Sequence, residues 1–279
     1  MPEIFNQVYF PNNMQALFSY WSRYPNSKIF SIGSSHLQQQ YKRTFNLPKM
    51  ILDLDNIDEL KHIDRTERFL EIGAMVSLNK VLTLGKIVPQ ALRYAFSQTK
   101  TPQIRNLITI GSALCQQTAA QQCAAAMVAL DSRCELRTVS GSRWVSASRL
   151  YTTDKKSFFQ PQELLSRVRI PLEQWDYCLC RHIKPRYDDQ IEGGFAVFLA
   201  RIEKDILCDV RIVFSGGANL RDKNSESMLI GKKLPIDIKN VQEFTGLWED
   251  YLNGMENVTP FLSARLLNFI ESTMMHFVD

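Results

Sequence analysis

The stretch Thr101–Leu114, reading TPQIRNLITIGSAL, constrains this chain's fold more than any other. It opens polar, becomes apolar and β-branched, and breaks at Gly111-Ser112. A β-branched run that ends in glycine predicts a strand stopped by a tight turn. Small residues follow, among them Ala113, Ala119, Ala120, Ala124, Ala125 and Ala126, and they predict a helix after the turn. Glycine at the turn lets backbone N–H groups approach a ligand, and phosphates suit such donors. The helix would add the positive end of its dipole. An ordinary strand-to-helix turn accounts for the same residues.

A second stretch has the same character. Lys28–Ile32 predicts a strand, broken by Gly33-Ser34-Ser35. The hydroxyls of Ser31, Ser34 and Ser35 add donors for phosphate oxygens. Before it, Asn12 and Asn13 precede Met14, Leu17, Phe18 and Trp21 at helical spacing, which predicts a capped helix. After it come strands at Met50–Leu54 and Phe69–Gly73, then helices from Ser77 and from Pro89. Ala124–Leu130 predicts an apolar helix, and Cys134–Val145 a hairpin around Ser140-Gly141. Pro161–Leu165 predicts a helical turn and Leu165–Ile170 a strand.

Beyond Pro171 the pattern changes. Tyr177–Lys184, Phe195–Ile202 and Cys208–Phe214 predict an antiparallel sheet, followed by helices at Ser225–Ile230, Val241–Gly254 and Thr259–Phe277. A domain boundary is expected near residues 171–176.

Several functions are disfavoured. The net charge is only +4, with no dense basic block to suggest nucleic acid. No apolar run reaches the ~18 residues of a membrane span. The start, MPEIFNQVYF, lacks the basic and apolar regions of a secretory signal, so a cytoplasmic location is expected. The six cysteines match no zinc or iron–sulfur spacing and are expected to be buried free thiols. No Rossmann fingerprint, P-loop or nucleophile elbow occurs. His36, His62, His182 and His276 are scattered, so no metal site is expected. Two glycine turns suited to a phosphate-bearing ligand, without an evident nucleophile or base, point to a cofactor carrier.

The order of these signals resembles a known family: the FAD-binding subunit or domain of molybdenum hydroxylases, which include xanthine dehydrogenase, aldehyde oxidase and carbon monoxide dehydrogenase. The resemblance runs over nearly the whole chain. It rests on Val8-Tyr9-Phe10-Pro11, the loop Ser31–Ser35, Ile51–Leu54 with Glu59-Leu60, and Ile72-Gly73-Ala74. Its most specific block is QIRNLITIG at Gln103–Gly111. Ala129–Asp131, Glu163–Leu165, Ile170-Pro171, Arg186–Ile191 and Glu226–Gly231 follow in order.

The resemblance implies an α+β fold, with an FAD-binding module of two α/β subdomains at residues 1–173. An α+β domain of the CO dehydrogenase flavoprotein type, with a small antiparallel sheet and helices, would occupy 174–279. It implies FAD as cofactor, its pyrophosphate held by Ser31, Ile32, Gly33, Ser34, Ser35, His36 and Leu37 on one loop. Thr109, Ile110, Gly111, Ser112 and Ala113 would form the other. Gln122 stands where relatives often carry an aspartate for the ribityl or ribose hydroxyls. Leu165 matches an apolar position near the flavin, and His182 a position that is often lysine. Arg186–Asp189 match a charged loop beside the ring in some members. The implied activity is electron transfer within a xanthine dehydrogenase-like complex. Electrons would pass from iron–sulfur clusters of a partner subunit, fed by a molybdenum cofactor-binding subunit, through FAD to NAD or another acceptor. The chain departs from the family at Ile32, Ser112, Ala113 and Gln122, which leaves a second reading: a flavin-poor structural or assembly subunit on the same fold.

Overall fold

The computed structural model describes residues 7–31, 48–99, 101–115, 121–151, 159–183, 194–216, 219–256 and 258–278. The chain begins with β1 (Gln7–Tyr9), α1 (Met14–Arg23), β2 (Lys28–Phe30) and β3 (Met50–Asp53). These strands form a parallel sheet in the order β1-β3-β2. Asn13 caps α1, its side chain accepting from the Ala16 N–H at 2.8 Å. The helix buries Met14, Leu17, Phe18 and Trp21, the face that its spacing predicts. They pack with Leu52, Leu54, Ile57, Leu60 and Leu164 as a small core.

After a 3₁₀ turn at Asp58–Lys61 come β4 (Ile63–Arg65), β5 (Phe69–Gly73), α2 (Leu78–Leu82) and α3 (Gln90–Gln98). Then α4 (Pro102–Leu107), α5 (Ile110–Cys115) and α6 (Gln121–Ala129) lead to β6 (Arg133–Thr138), β7 (Gly141–Ser146) and β8 (Leu164–Pro171). The five strands form an antiparallel sheet ordered β4-β5-β8-β6-β7. One face carries Ile72, Leu136, Val168 and Ile170 into the main core, which α2, α3, α5 and α6 complete. The opposite face carries Glu71, Glu135, Arg167 and Arg169, tied into ion pairs.

The third sheet is built from β9 (Tyr177–Ile183), β10 (Gly194–Glu203), β11 (Ile206–Ser215) and β12 (Asn219–Leu220), antiparallel in the order β12-β11-β10-β9. The β10–β11 turn places Lys204 and Asp205 at φ 51° and 62°, the two-residue geometry that matches strand twist. Alternation along β10 serves two cores. Phe195, Val197 and Leu199 join the main core, on the side where α6 packs. Ala196, Phe198 and Ala200 meet α8 (Ile238–Asn253) and α9 (Pro260–Met274), which follow the short α7 (Lys223–Leu229). Among the described residues, no helix is long and apolar enough to cross a membrane.

Two expectations about the elements are overturned. Residues 102–107 are helical where a strand running to Gly111 was expected, and the helix expected after the turn begins already at Ile110. Proline at the first helical position starts α4 after the extended Thr101. The β-branched run Ile108–Ile110 supplies only one strand-like bridge, between Thr109 and Ser77. The turn at Pro161-Gln162 is likewise not helical. The strands β4 and β12 carry no sequence signal long enough to find them.

Candidate functional site

The first glycine loop starts where β2 ends. In parallel sheets ligands collect at the carboxyl ends of strands, and Ser31 is the first residue past that end. Ile32, Gly33, Ser34, Ser35, His36 and Leu37 lie outside the described residues. Ser31 is half-buried, and its hydroxyl lies 2.9 Å from the Thr109 hydroxyl. The structure thereby brings the first residue of one expected loop against the first residue of the other.

The second loop is more tightly built than a free turn. Thr109 is fully enclosed, at 0% exposure. Its Oγ1 accepts from the Ser112 N–H at 3.1 Å, and Ser112 Oγ accepts from the Thr109 N–H at 3.0 Å. This is a reciprocal cap on α5, with serine in the role that glutamate or glutamine often takes. Ser112 Oγ also donates to the Thr109 carbonyl at 2.9 Å. The Ala113 N–H donates to Thr109 O, the Ile110 N–H to Val76 O and the Gly111 N–H to Ala74 O. Every backbone N–H from Ile110 to Ala113 therefore has a partner inside the protein.

This corrects the expected role of Gly111. Its N–H is not offered to a ligand. A Cβ built on it would sit 3.0 Å from both the Cβ and the carbonyl oxygen of Ala74. A side chain here would force Ala74 to give way, because the start of α5 presses on the backbone after β5.

The other expected residues take separate places. Gln122 is half-buried on α6, its Oε1 3.0 Å from the Thr99 hydroxyl. That hydroxyl also lies 2.9 Å from the Ala95 carbonyl. Leu165 is 3% exposed in the main core, opposite Leu136 on β6. His182 is exposed on β9, opposite Phe195. Arg186–Asp189 lie outside the described residues. Sequence reasoning missed Ser77, Thr99 and the carbonyls of Ala74 and Val76. Only the N-cap pattern at Ser77 carried a local signal.

The cysteines divide. Cys123 and Cys134 are buried as expected, but Cys178, Cys180 and Cys208 are half-buried and Cys115 is exposed; all are free thiols. A cavity of about 240 Å³ opens elsewhere, on the charged face of the five-stranded sheet. Its carboxylates Glu59, Glu71 and Glu135 are already paired with arginines. Glu135 binds Arg167 at 2.8 Å and the Ser166 hydroxyl at 2.6 Å. Burial pushes this carboxyl up, but those hydrogen bonds outweigh it and hold Glu135 below the usual carboxylate value.

Comparisons agree with this architecture. Residues 4–173 match the model of the family described as the FAD binding domain in molybdopterin dehydrogenase. The chain is 28% identical over 193 residues to the 6-hydroxypseudooxynicotine dehydrogenase complex subunit alpha of Paenarthrobacter nicotinovorans. The match covers 67% of this chain and 65% of that relative. The nicotinate dehydrogenase FAD-subunit of Eubacterium barkeri is 25% identical over 238 residues, covering 82% of this chain and 79% of the relative. Among solved structures, carbon monoxide dehydrogenase from Hydrogenophaga pseudoflava superposes with a TM-score of 0.78 at 18% identity, covering 97% of this chain and 95% of that one. That likeness establishes a shared fold. The family match spans more than half of the chain, from β1 to just past β8, and takes in both loops that meet at Ser31 and Thr109. The chain thus belongs to the family of FAD-binding domains of molybdopterin dehydrogenases.

Proposed function

We propose that this chain is the FAD-carrying electron-transfer subunit of a molybdenum hydroxylase complex. Residues 1–173 would form its FAD-binding domain and 174–279 a C-terminal domain of the CO dehydrogenase flavoprotein type. Family membership supports the cofactor, and the contact between Ser31 and Thr109 carries the reading in this structure. It fits a diphosphate because a half-buried hydroxyl at the carboxyl end of a parallel strand meets the enclosed hydroxyl that caps α5.

The Ser112 N–H donates to Thr109 Oγ1. Either hydroxyl of the Ser31–Thr109 pair can donate to the other. With Thr109 as the donor, the Ser31 O–H would point at a phosphate oxygen. Successive hydrogen bonds of this kind polarise one another. Thr109, being enclosed, positions Ser31. Gln122, oriented by Thr99, would hydrogen-bond a ribityl or ribose hydroxyl without the charge assistance of a carboxylate. Leu165 would pack near the flavin, and His182 would face the ring from β9. When bound, FAD would supply an electron relay between iron–sulfur clusters of a partner subunit and NAD or another acceptor. Substrate oxidation would belong to a molybdenum cofactor-binding partner, in a complex of the xanthine dehydrogenase kind.

The saturated N–H groups of Ile110–Ala113 favour a second reading, an assembly subunit on the same fold that holds no flavin. One experiment separates the two. The purified chain should show an oxidised-flavin spectrum and release FAD on denaturation. A colourless chain that takes up no added FAD sinks the first reading and leaves the second. Co-purification with a molybdenum-containing chain then tests the complex.

A further inference from the structure

α6 ends in a Schellman turn. The Ser132 N–H donates to the Met127 carbonyl at 3.0 Å, and the Asp131 N–H to the Val128 carbonyl at 3.1 Å. Asp131, at the bend, takes a φ of 49°. Glycine suits that left-handed position best. The cap alone therefore favours glycine, and the aspartate side chain has a task of its own.

Its carboxylate is shared by two arginines. Oδ2 pairs with Arg211 on β11 at 3.0 Å, and Oδ1 with Arg221, just past β12, at 2.7 Å. The same guanidiniums reach the last carbonyls of α6. Arg211 donates to the Ala129 oxygen at 2.9 Å and Arg221 to the Val128 oxygen at 3.3 Å. Cations there also suit the negative end of the helix dipole. Both arginines are anchored from behind. Arg211 is 7% exposed, lies over the Trp175 ring at 4.5 Å and binds Asp209 at 2.9 Å. Arg221 binds the buried Glu226 at 2.9 Å.

The rest of α6 is smooth. It meets α3, β10 and β11, and Ala125, Ala126 and Ala129 are fully buried. Methyl side chains form shallow ridges, which resist sliding along the helix axis less than long side chains do. Gln122 stands nine positions before Asp131, roughly 13 Å up the axis. Its Oε1 meets the Thr99 hydroxyl at 3.0 Å, and a slide of about 1 Å would break that contact.

We propose that Asp131, with the arginines Arg211 and Arg221 that grip it, is a positioning residue for the cofactor site: the clamp fixes the axial setting of α6 and so the place of Gln122. This rests on the flavin reading of the site. The clamp holds only the far end of the helix, so its influence reaches Gln122 through the helix itself.

Titrating the flavin-stripped full-length chain with FAD, followed by flavin fluorescence, tests this. Asp131→Gly suits the backbone and removes the grip. Its Kd for FAD should rise roughly two- to tenfold, the worth of one hydrogen bond. Asp131→Asn tolerates the same φ and should show a smaller rise; it keeps the test readable if the glycine variant does not fold. Gln122→Ala should weaken FAD by a factor similar to Asp131→Gly. Sites this far apart with no shared partner ordinarily act additively. Here either Asp131 change should add nothing further in the Gln122→Ala background. Unchanged affinity in the folded Asp131 variants, or additive losses in the double variants, overturns the proposal. A wild-type chain that takes up no FAD removes the cofactor reading and this inference with it, whereas additivity in a chain that binds FAD removes the inference alone.

Discussion

Ser31 Oγ lies 2.9 Å from Thr109 Oγ1, joining residues 78 positions apart in the chain. The Thr109 hydroxyl also caps α5 by accepting from the Ser112 N–H. Thr109→Val removes both functions and keeps the shape. Loss of an N-cap costs about 0.5–2 kcal/mol, so Thr109→Val should lower both unfolding free energy and bound FAD. Ser31→Ala should lower the flavin-to-protein absorbance ratio with little change in the urea midpoint, and Thr109→Ser should restore both. Unchanged flavin content in Ser31→Ala would remove Ser31 from the cofactor site.

Gly111 tests packing against ligand approach. Its missing side chain makes room for Ala74, whose Cβ and carbonyl would be 3.0 Å from a new Cβ. Gly111→Val should destabilise the chain by about 1–3 kcal/mol, as overpacking does. Ala74→Gly in the same chain should recover part of that loss, measured as coupling in a double-mutant cycle. Additive effects of the two changes would mean that the close contact is not the cause.

Ser31 and Thr109 also mark how much was legible in advance. The strand at Lys28–Phe30 was visible, and so were α1, α3, the β6–β7 hairpin and the β10–β11 hairpin, because each has a local pattern of cap, period or turn. The internal structure of Thr101–Leu114 was not. Ile108–Ile110 reads as a strand by composition, but only Thr109 finds a bridging partner, Ser77, 32 positions earlier. The N–H groups of Ile110 and Gly111 end on the carbonyls of Val76 and Ala74. Those acceptors depend on how β5 turns into α2, which no residue near Gly111 encodes. Thr99 was missed for the same reason: its partner Gln122 lies 23 positions away.

The small side chains of α6 are a packing requirement. Ala125, Ala126 and Ala129 are fully buried where the helix meets α3, β10 and β11. Ala126→Leu adds three carbons to a closed space and should cost about 1–3 kcal/mol. Thermal unfolding followed by circular dichroism checks this. An unchanged midpoint would show that the helix can move away from the sheet.

Glu226 is the buried charge most exposed to loss of a partner. It is 4% exposed, accepts from the Ile212 N–H at 2.9 Å and pairs with Arg221 at 2.9 Å. Burial pushes its carboxyl up while Arg221 opposes the shift. Arg221→Met strands that charge and should cost about 3–5 kcal/mol. The double variant Arg221→Met, Glu226→Leu should be more stable than Arg221→Met alone. If it is less stable, the Glu226 contact to β11 outweighs the ion pair.

The acid response should run through Glu163. Its side chain is 1% exposed, and Arg143 grips both oxygens, at 2.6 and 2.9 Å. Arg143 holds the carboxyl below its ordinary value of 4.5, and the Gln160 N–H assists against burial. Between the lowered folded value and the ordinary unfolded one, the unfolded chain binds more protons. Stability therefore falls as pH falls through that window. Glu163→Gln removes the titrating group. Its urea midpoint should be lower than wild type at neutral pH, yet change less between about pH 5 and pH 3. Glu135, whose carboxyl is also held low, supplies part of the slope that remains. Equal slopes for the two proteins across that range would show that the Arg143–Glu163 pair does not set the acid limit.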